Sequence, residues 1–129
     1  MKAIESLEEL NLPEKFTNFL KEYLVNISDI NTIEKIILFG SCARGNVRDD
    51  SDIDLLIIGD WITENDEDGI YVDRIPFVPQ SEYVVTDIFT STHEKYNTYK
   101  TQIGCIQPNI EREGIDLSQC LKKQRGVIV

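Results

Sequence analysis

The stretch ILFGSCARGNVRDDSDIDLLII, residues 37–58, carries the pattern that decides the fold. Two apolar runs flank a Gly-Ser turn, a short basic stretch and two aspartates, Asp52 and Asp54. Short apolar runs that are rich in isoleucine and end at glycine are typical of buried strands. Carboxylates at the mouth of a buried strand are unfavourable unless something offsets their charge. The sequence therefore predicts two strands. It also indicates that some other group compensates the charge of the two aspartates.

Three strands are predicted along the chain. Two of them cover residues 34–39 and 53–58, and a short helix begins at Ser41 between them. The third covers residues 81–91, where Tyr, Val, Ile and Phe dominate. Alternation along this strand places Asp87 in a row of otherwise apolar side chains. A third carboxylate therefore also needs an explanation.

Helices are predicted on either side of these strands, which indicates a single α/β (α+β) domain over residues 1–129. Apolar side chains at helical spacing predict an amphipathic helix over residues 13–27. Two helical pieces are predicted around residues 92–103 and 105–114, followed by a short apolar tail. Between the second and third strands, the acidic, proline-broken segment 59–80 is predicted to be a loop with a solvated surface. Metal capture or a partner contact is the alternative role for that loop.

Composition excludes several functions. The formal charge of −10 argues against a surface that grips nucleic-acid phosphates directly, although a bound metal would still allow phosphate binding. The chain has no run of about 20 apolar residues, as a membrane span needs, and its N-terminus has no signal-peptide pattern. Three cysteines without metal-ligand spacing predict reduced thiols in a cytoplasmic protein. Cys42, which lies in the turn, is interpreted as a small packing residue, and His93 as a surface residue.

Asp52 and Asp54 are the candidate metal ligands. Residues two apart in a strand share a face, so the two carboxylates project together and repel each other. Mg²⁺ removes this repulsion, because it prefers one or two carboxylates and takes substrate phosphates and water as its other ligands. The alternative is that both aspartates are turn residues at the start of a strand.

The turn before the aspartates is a candidate phosphate site. Gly40 has no Cβ, so a phosphate can approach its backbone, and Ser41 opens a short helix whose N–H groups suit an anion. Arg44 follows one turn later and can reach a phosphate or one of the aspartates. A Gly-Ser pair after a strand is a weak signal alone, and its value comes from the fixed offset to Asp52 and Asp54.

These motifs resemble the nucleotidyltransferase superfamily with the DNA polymerase beta fold. Its signature is hydrophobic-Gly-Ser, about ten residues, then Asp-hydrophobic-Asp; here residues 42–51 separate Ser41 from Asp52. GSCARG and SDIDLL are similar to the minimal nucleotidyltransferases that accompany HEPN proteins, the antitoxins of HEPN modules. The resemblance covers about residues 13–117 and implies a small mixed sheet flanked by helices. It also implies a third carboxylate at Asp87, with Glu82 and Asp73 as the fallback candidates.

The resemblance implies an Mg²⁺-dependent transfer of a nucleoside monophosphate to a hydroxyl. Asp52, Asp54 and Asp87 would hold two Mg²⁺ ions, and Asp87 would also activate the acceptor. Gly40, Ser41 and Arg44 would bind the nucleotide, which we expect to be ATP. The expected acceptor is a tyrosine of a HEPN toxin, so that the protein is an antitoxin enzyme. His93 and the proline-broken segment depart from the family pattern, and both bear on the acceptor side.

Two other functions remain open. One is a small-molecule nucleotidyltransferase that acts as a homodimer, and the other is an antitoxin that silences its partner by binding alone. The chain is short for a transferase that holds a small acceptor by itself, so another chain is expected to complete the cleft. Neither base preference nor oligomeric state follows from the sequence.

Overall fold

A computed structural model describes residues 1–30, 33–59, 84–102, 104, 105 and 107–126. Its strands are β1 (Lys2–Ala3), β2 (Ile33–Phe39), β3 (Ile53–Gly59), β4 (Thr86–Thr92) and β5 (Ile115–Asp116). Its α-helices are α1 (Glu14–Ile27), α2 (Ser41–Arg44), α3 (His93–Tyr99), α4 (Gln107–Glu113) and α5 (Ser118–Gly126). One turn of 3₁₀ helix at Leu7–Leu10 precedes α1.

The described strands form one mixed sheet in the order β1-β5-β2-β3-β4. β2 is antiparallel to both β3 and β5, whereas β4 runs parallel to β3, and β1 runs parallel to β5. The antiparallel β2–β3 pair is joined through the Gly-Ser turn and α2. The parallel β3–β4 pair needs a long crossover, which in this chain falls on residues 60–85. The expected small mixed sheet flanked by helices is confirmed.

Helices cover both faces of the sheet, which explains why β2 from Ile36 onwards and β3 from Leu55 onwards are apolar on both faces. On one face, Ile36, Leu38 and Leu55 pack into a cluster with the apolar sides of α1 and α5. On the other face, a smaller cluster includes Tyr96 of α3 and Ile110 of α4. The described helices cover this second face only in part, and the candidate site lies near the start of β3, beside α4.

Most predicted elements agree with the structure within one residue. The helix predicted over 13–27 spans Glu14–Ile27, and the strands predicted over 34–39 and 53–58 span Ile33–Phe39 and Ile53–Gly59. The short helix begins at Ser41 as expected. Gly114 follows α4, and its N–H donates to the Ile110 carbonyl at 2.8 Å.

Three predictions about the second half of the chain need correction. β4 begins at Thr86 rather than at residue 81, because pairing with β3 starts at Ile53 opposite Thr86; Val84 and Val85 are outside the strand. The first helical piece ends at Tyr99, well before residue 103. After Gly114 the chain forms β5 and α5 instead of a short apolar tail. Glycine suits this turn because it has no Cβ. A Cβ at position 114 would lie 2.5 Å from the carbonyl oxygen of Ile110.

The acidic loop predicted at 59–80 falls on residues that lie outside the described part of the chain, apart from Gly59. The fallback carboxylates Glu82 and Asp73 also lie outside it. Among the helices that are described, none combines the length and the apolar character needed to cross a membrane.

Arg125 of α5 donates hydrogen bonds to three backbone carbonyls in and beside the connection between α1 and β2. Its guanidinium donates at 2.9 Å to the carbonyl of Ser28, just after α1, and at 2.9 Å to the carbonyl of Ile33 in β2. It also donates to the carbonyl of Ile30 in the connection between them. The planar fork of arginine presents five N–H donors, so one side chain can satisfy all three carbonyls. α5 is thereby fixed to the α1–β2 connection as well as to the core.

Candidate functional site

The candidate site is a cleft of about 400 Å³ at the end of β2 and the start of β3. One wall is formed by the turn after β2 and the start of β3, with Phe39, Gly40, Ser41, Arg44, Asp52 and Asp54. The opposite wall is α4, with Asn109, Ile110 and Glu113. Five of the six site residues expected from the sequence therefore line one cleft.

Strand register brings the sixth expected residue, Asp87, to the rim of this cleft. Phe39 of β2 lies opposite Asp54 of β3, and Asp54 lies opposite Asp87 of β4. Directly opposed residues on neighbouring strands point to the same face, so the three side chains form a row across the sheet. Asp52 precedes β3 by one residue and is exposed. Asp52 and Asp87 are both close enough to Asp54 for their charges to raise its pKa.

Only glycine fits at position 40, for reasons of backbone conformation and of space. Its backbone has φ 76° and ψ −156°, a region that is essentially restricted to glycine. A Cβ on Gly40 would lie 2.2 Å from Oδ2 of Asp54, far inside van der Waals contact. The Gly-Ser turn and the second aspartate of the motif are therefore in direct contact, which explains physically why the two motifs occur together in this chain.

Gly40→Ala is expected to lower the free energy of unfolding by about 2 kcal/mol through backbone strain and to reduce nucleotidyl transfer about 100-fold by displacing Asp54. Gly45→Ala is the matched control, because Gly45 has φ 81° but nothing within 4 Å of an added Cβ. Urea unfolding and transfer assays on both variants separate the strain from the clash. Full activity of Gly40→Ala would contradict the assigned contact.

The carboxyl group of Asp54 is the most perturbed acid of the site. Burial raises its pKa from 3.8 to about 6, and the charges of Asp87 and Asp52 act in the same direction. A side-chain hydrogen bond with Asp87 raises the pKa further, whereas the charge of Arg44 lowers it. A proton, or a cation in its place, therefore stabilises the cluster.

The raised pKa of Asp54 predicts a pH-dependent stability in metal-chelating buffer. Because the folded protein retains this proton at a pH where the unfolded chain has lost it, folding stability falls as the pH rises from about 4 to about 6. Asp54→Asn removes this contribution, so the variant should gain stability relative to the parent protein across that interval. Urea unfolding of both proteins at pH 4, 5, 6 and 7 measures the difference. A difference that stays constant with pH would contradict the interpretation.

α4 supplies cleft residues that the sequence did not reveal. Asn109 and Glu113 are four residues apart and so face the same side of the helix. Glu113 accepts a hydrogen bond from Nη1 of Arg44 at 3.3 Å, which links the two walls of the cleft. Their i, i+4 spacing was visible in the sequence, but nothing there indicated that this helix faces the Gly-Ser turn. Arg44 therefore contacts Glu113, not Asp52 or Asp54, although its charge still acts on Asp54.

Cys42 lies behind Asp52 and packs into the larger core cluster. Its Sγ donates to the carbonyl of Asp52 at 3.4 Å. Burial, together with the charges of Asp54 and Asp52, raises the pKa of the thiol to about 11, so it stays protonated and is a poor nucleophile. His93, at the start of α3, is half-buried and contacts Glu34. Neither side chain is among the cleft-lining residues.

The donor set at the cleft suits Mg²⁺. In the described part of the chain, no three His, Cys, Asp or Glu side chains form a ready-made cage for a metal ion. Mg²⁺ does not need one, because it is usually bound by one or two carboxylates while water and substrate phosphates complete its coordination. Burial first, and then the charges of Asp87 and Asp52, raise the pKa of Asp54, and a divalent cation would offset both effects by neutralising the carboxylates.

A mixed sheet with a Gly-Ser turn against paired aspartates defines the class: the fold is that of the DNA polymerase beta-like nucleotidyltransferases. The chain belongs to the nucleotidyltransferase domain family, whose model matches residues 14–129. It is 68% identical over 28 residues to a protein of Methanocaldococcus jannaschii named "Putative protein adenylyltransferase". That segment is 22% of this chain and 28% of the relative, so the match spans under a third of the relative's length. The chain therefore carries a nucleotidyltransferase domain over almost its whole length.

Proposed function

We propose that this nucleotidyltransferase transfers AMP from ATP to a hydroxyl group on a partner protein, with Mg²⁺ bound at Asp52, Asp54 and Asp87. The observation that carries the proposal is the row of adjoining groups at the cleft. Gly40 touches Asp54 on one side, and Asp87 lies beside Asp54 on the other. A phosphate-binding turn, a shared carboxylate and an acceptor-side carboxylate are the three parts that phosphoryl-type transfer requires.

The residues around the turn would hold the donor. The start of α2 presents N–H groups without partners inside the helix, and these suit the β- and γ-phosphates. Gly40 leaves room for a phosphate at the backbone, and the Ser41 hydroxyl adds a donor. Arg44 contacts Glu113 and is half-exposed, so a phosphate can compete with that carboxylate for the guanidinium.

Asp87 would act on the acceptor. When bound, Mg²⁺ at the three carboxylates would neutralise charge on the phosphates and lower the pKa of the attacking hydroxyl. Asp87 is exposed and lies at the rim, so its carboxylate can accept the proton of an incoming hydroxyl. The new bond joins the acceptor oxygen to the α-phosphorus, and pyrophosphate leaves with the electron pair of the broken bond.

The proposed acceptor is a tyrosine of a HEPN-type toxin, which makes the protein an antitoxin enzyme. Family resemblance supports this partner, and the name of the Methanocaldococcus jannaschii relative supports a protein acceptor. The net charge of −10 favours docking to a cationic partner. Transfer to a small molecule and silencing by binding alone are the competing functions.

The test is to incubate the purified chain and its HEPN partner with labelled ATP and Mg²⁺, and to locate the added mass by mass spectrometry. We expect one AMP on a tyrosine of the partner, and none after Asp52→Asn. Asp50→Asn is the matched control, because Asp50 is an exposed aspartate in the same loop that does not line the cleft.

The competing functions give different results in the same experiment. Silencing of the partner that survives Asp52→Asn, without label on the partner, indicates an antitoxin that works by binding. Label that appears on a small hydroxyl compound but never on the partner indicates a small-molecule transferase. Either result would overturn the proposed acceptor, and loss of activity in Asp50→Asn would overturn the role given to Asp52.

A further inference from the structure

The aromatic ring of Phe89 lies next to the cleft, where it contacts the lining residue Phe39. Phe89 lies on β4 two residues after Asp87, so both side chains project from the same face of the sheet. The side chain of Phe89 is 45% exposed, so part of its apolar surface is open to a ligand beside Asp87. It packs against Phe39, with ring centroids 5.7 Å apart and planes tilted by 51°.

The in-line geometry of the reaction places the acceptor on the side of the cleft where Phe89 lies. In nucleotidyl transfer the attacking oxygen and the departing pyrophosphate lie on opposite sides of the α-phosphorus. If the β- and γ-phosphates occupy the turn at Gly40, the acceptor enters from the opposite side, past Asp54 and towards β4. Asp87 and Phe89 are the described side chains that β4 presents there.

The spacing of these two side chains matches one kind of acceptor. Residues two apart on a strand are about 7 Å from each other, with Asp87 polar and Phe89 apolar. A phenol has the same arrangement, because its ring is apolar and its hydroxyl is polar. A ring seated on Phe89 would therefore bring its hydroxyl to Asp87, whereas a serine or threonine would leave Phe89 without a contact.

We propose that Phe89, supported by Phe39, is the seat of the acceptor's aromatic ring and makes the enzyme selective for tyrosine side chains. This inference rests on the proposed function. The phenolic oxygen bonds to the α-phosphorus, its proton passes to Asp87, and the bond to the bridging oxygen breaks as pyrophosphate leaves. Phe89 touches the acceptor but no reacting atom, so its removal affects acceptor binding first.

The experiment uses N-acetyl-tyrosinamide and N-acetyl-serinamide as acceptor probes with labelled ATP and Mg²⁺. Phe89→Ala should raise the KM for the tyrosine probe about 5- to 10-fold, as loss of a ring pair predicts, and leave the KM for ATP unchanged. Phe89→Trp should restore the lower KM. Ile88→Ala is the matched control, because Ile88 is 40% exposed on the same strand and faces the other side of the sheet.

The possible outcomes distinguish failure of the acceptor seat from failure of the proposed function. If the intact protein transfers AMP but Phe89→Ala has an unchanged KM, or if the serine probe is used equally well, the acceptor seat is wrong and the proposed function stands. If no transfer occurs to any acceptor, including the HEPN partner, the proposed function is wrong. Saturation-transfer NMR of the tyrosine probe then tests the seat alone. Ring contact that is lost in Phe89→Ala but kept in Ile88→Ala supports it, and any other pattern overturns it.

Discussion

Asp54→Asn is expected to reduce nucleotidyl transfer by about 1,000-fold or more, because one lost cation-binding carboxylate removes several kcal/mol of transition-state stabilisation. Asp54 is the central residue of the row across the sheet, in contact with both the Gly40 turn and Asp87. No other carboxylate of the described residues occupies this middle position. A neighbouring acid therefore cannot take over its function.

The fold should tolerate the same change. The asparagine side chain has nearly the same size as the aspartate it replaces, and the substitution removes a half-buried charge that Asp52 and Asp87 repel. We therefore expect circular dichroism and urea unfolding at pH 7 to show a protein at least as stable as the parent. Retained transfer activity in a folded Asp54→Asn protein would contradict the assigned site. Asp50→Asn again provides the control for loss of an aspartate from the same region.

Arg125→Ala is expected to lower the free energy of unfolding by about 3 kcal/mol, because three backbone carbonyls lose a charged donor at once. Arg125→Lys should recover only part of this loss, since one ammonium group cannot reach all three carbonyls in the planar arrangement of a guanidinium. Lys122→Ala is the control, because Lys122 is an exposed cation on the same helix.

Urea unfolding followed by far-UV circular dichroism measures these differences. The change should appear in the midpoint, with the slope unaltered, if the folded state alone is affected. A loss for Arg125→Ala no larger than that for Lys122→Ala would show that the three hydrogen bonds contribute little to folding. Nucleotide binding is not expected to change, because Arg125 is not among the cleft-lining residues.

The centre of the fold was predictable because its signals are local. β2 and β3 each contain an apolar run of four residues, Ile36–Phe39 and Leu55–Ile58, that is followed by glycine, and α1 repeats apolar residues at helical spacing. The same stretch holds the Gly-Ser turn and two aspartates, so their proximity follows from one short connection. Asp87 was found because a single charge interrupts an apolar alternation, and the register of β4 then places it opposite Asp54.

The remaining elements depend on tertiary contacts that leave little trace in the sequence. β1 and β5 have two residues each, which is too short for any alternation. α5 buries only Cys120 and Leu121 on a largely polar helix, so its apolar pattern is weak. Glu113 and Asn109 became cleft residues only because α4 packs against the second face of the sheet. The start of β4 was misplaced because the two valines before Thr86 have strand-like composition but precede the first residue that pairs with β3.

The parallel arrangement of β3 and β4 has a consequence for the order in which the cleft is assembled. Asp54 and Asp87 are 33 positions apart, whereas the Gly40 turn is close to Asp54 in the chain. Closing the longer loop costs more entropy, so the antiparallel pair can form while the edge strand is still undocked. On this argument, Asp87 comes beside Asp54 only when β4 docks, and the carboxylates are crowded from that step onwards. The half of the site formed by Gly40 and Asp54 can therefore be in place before Asp87 completes it.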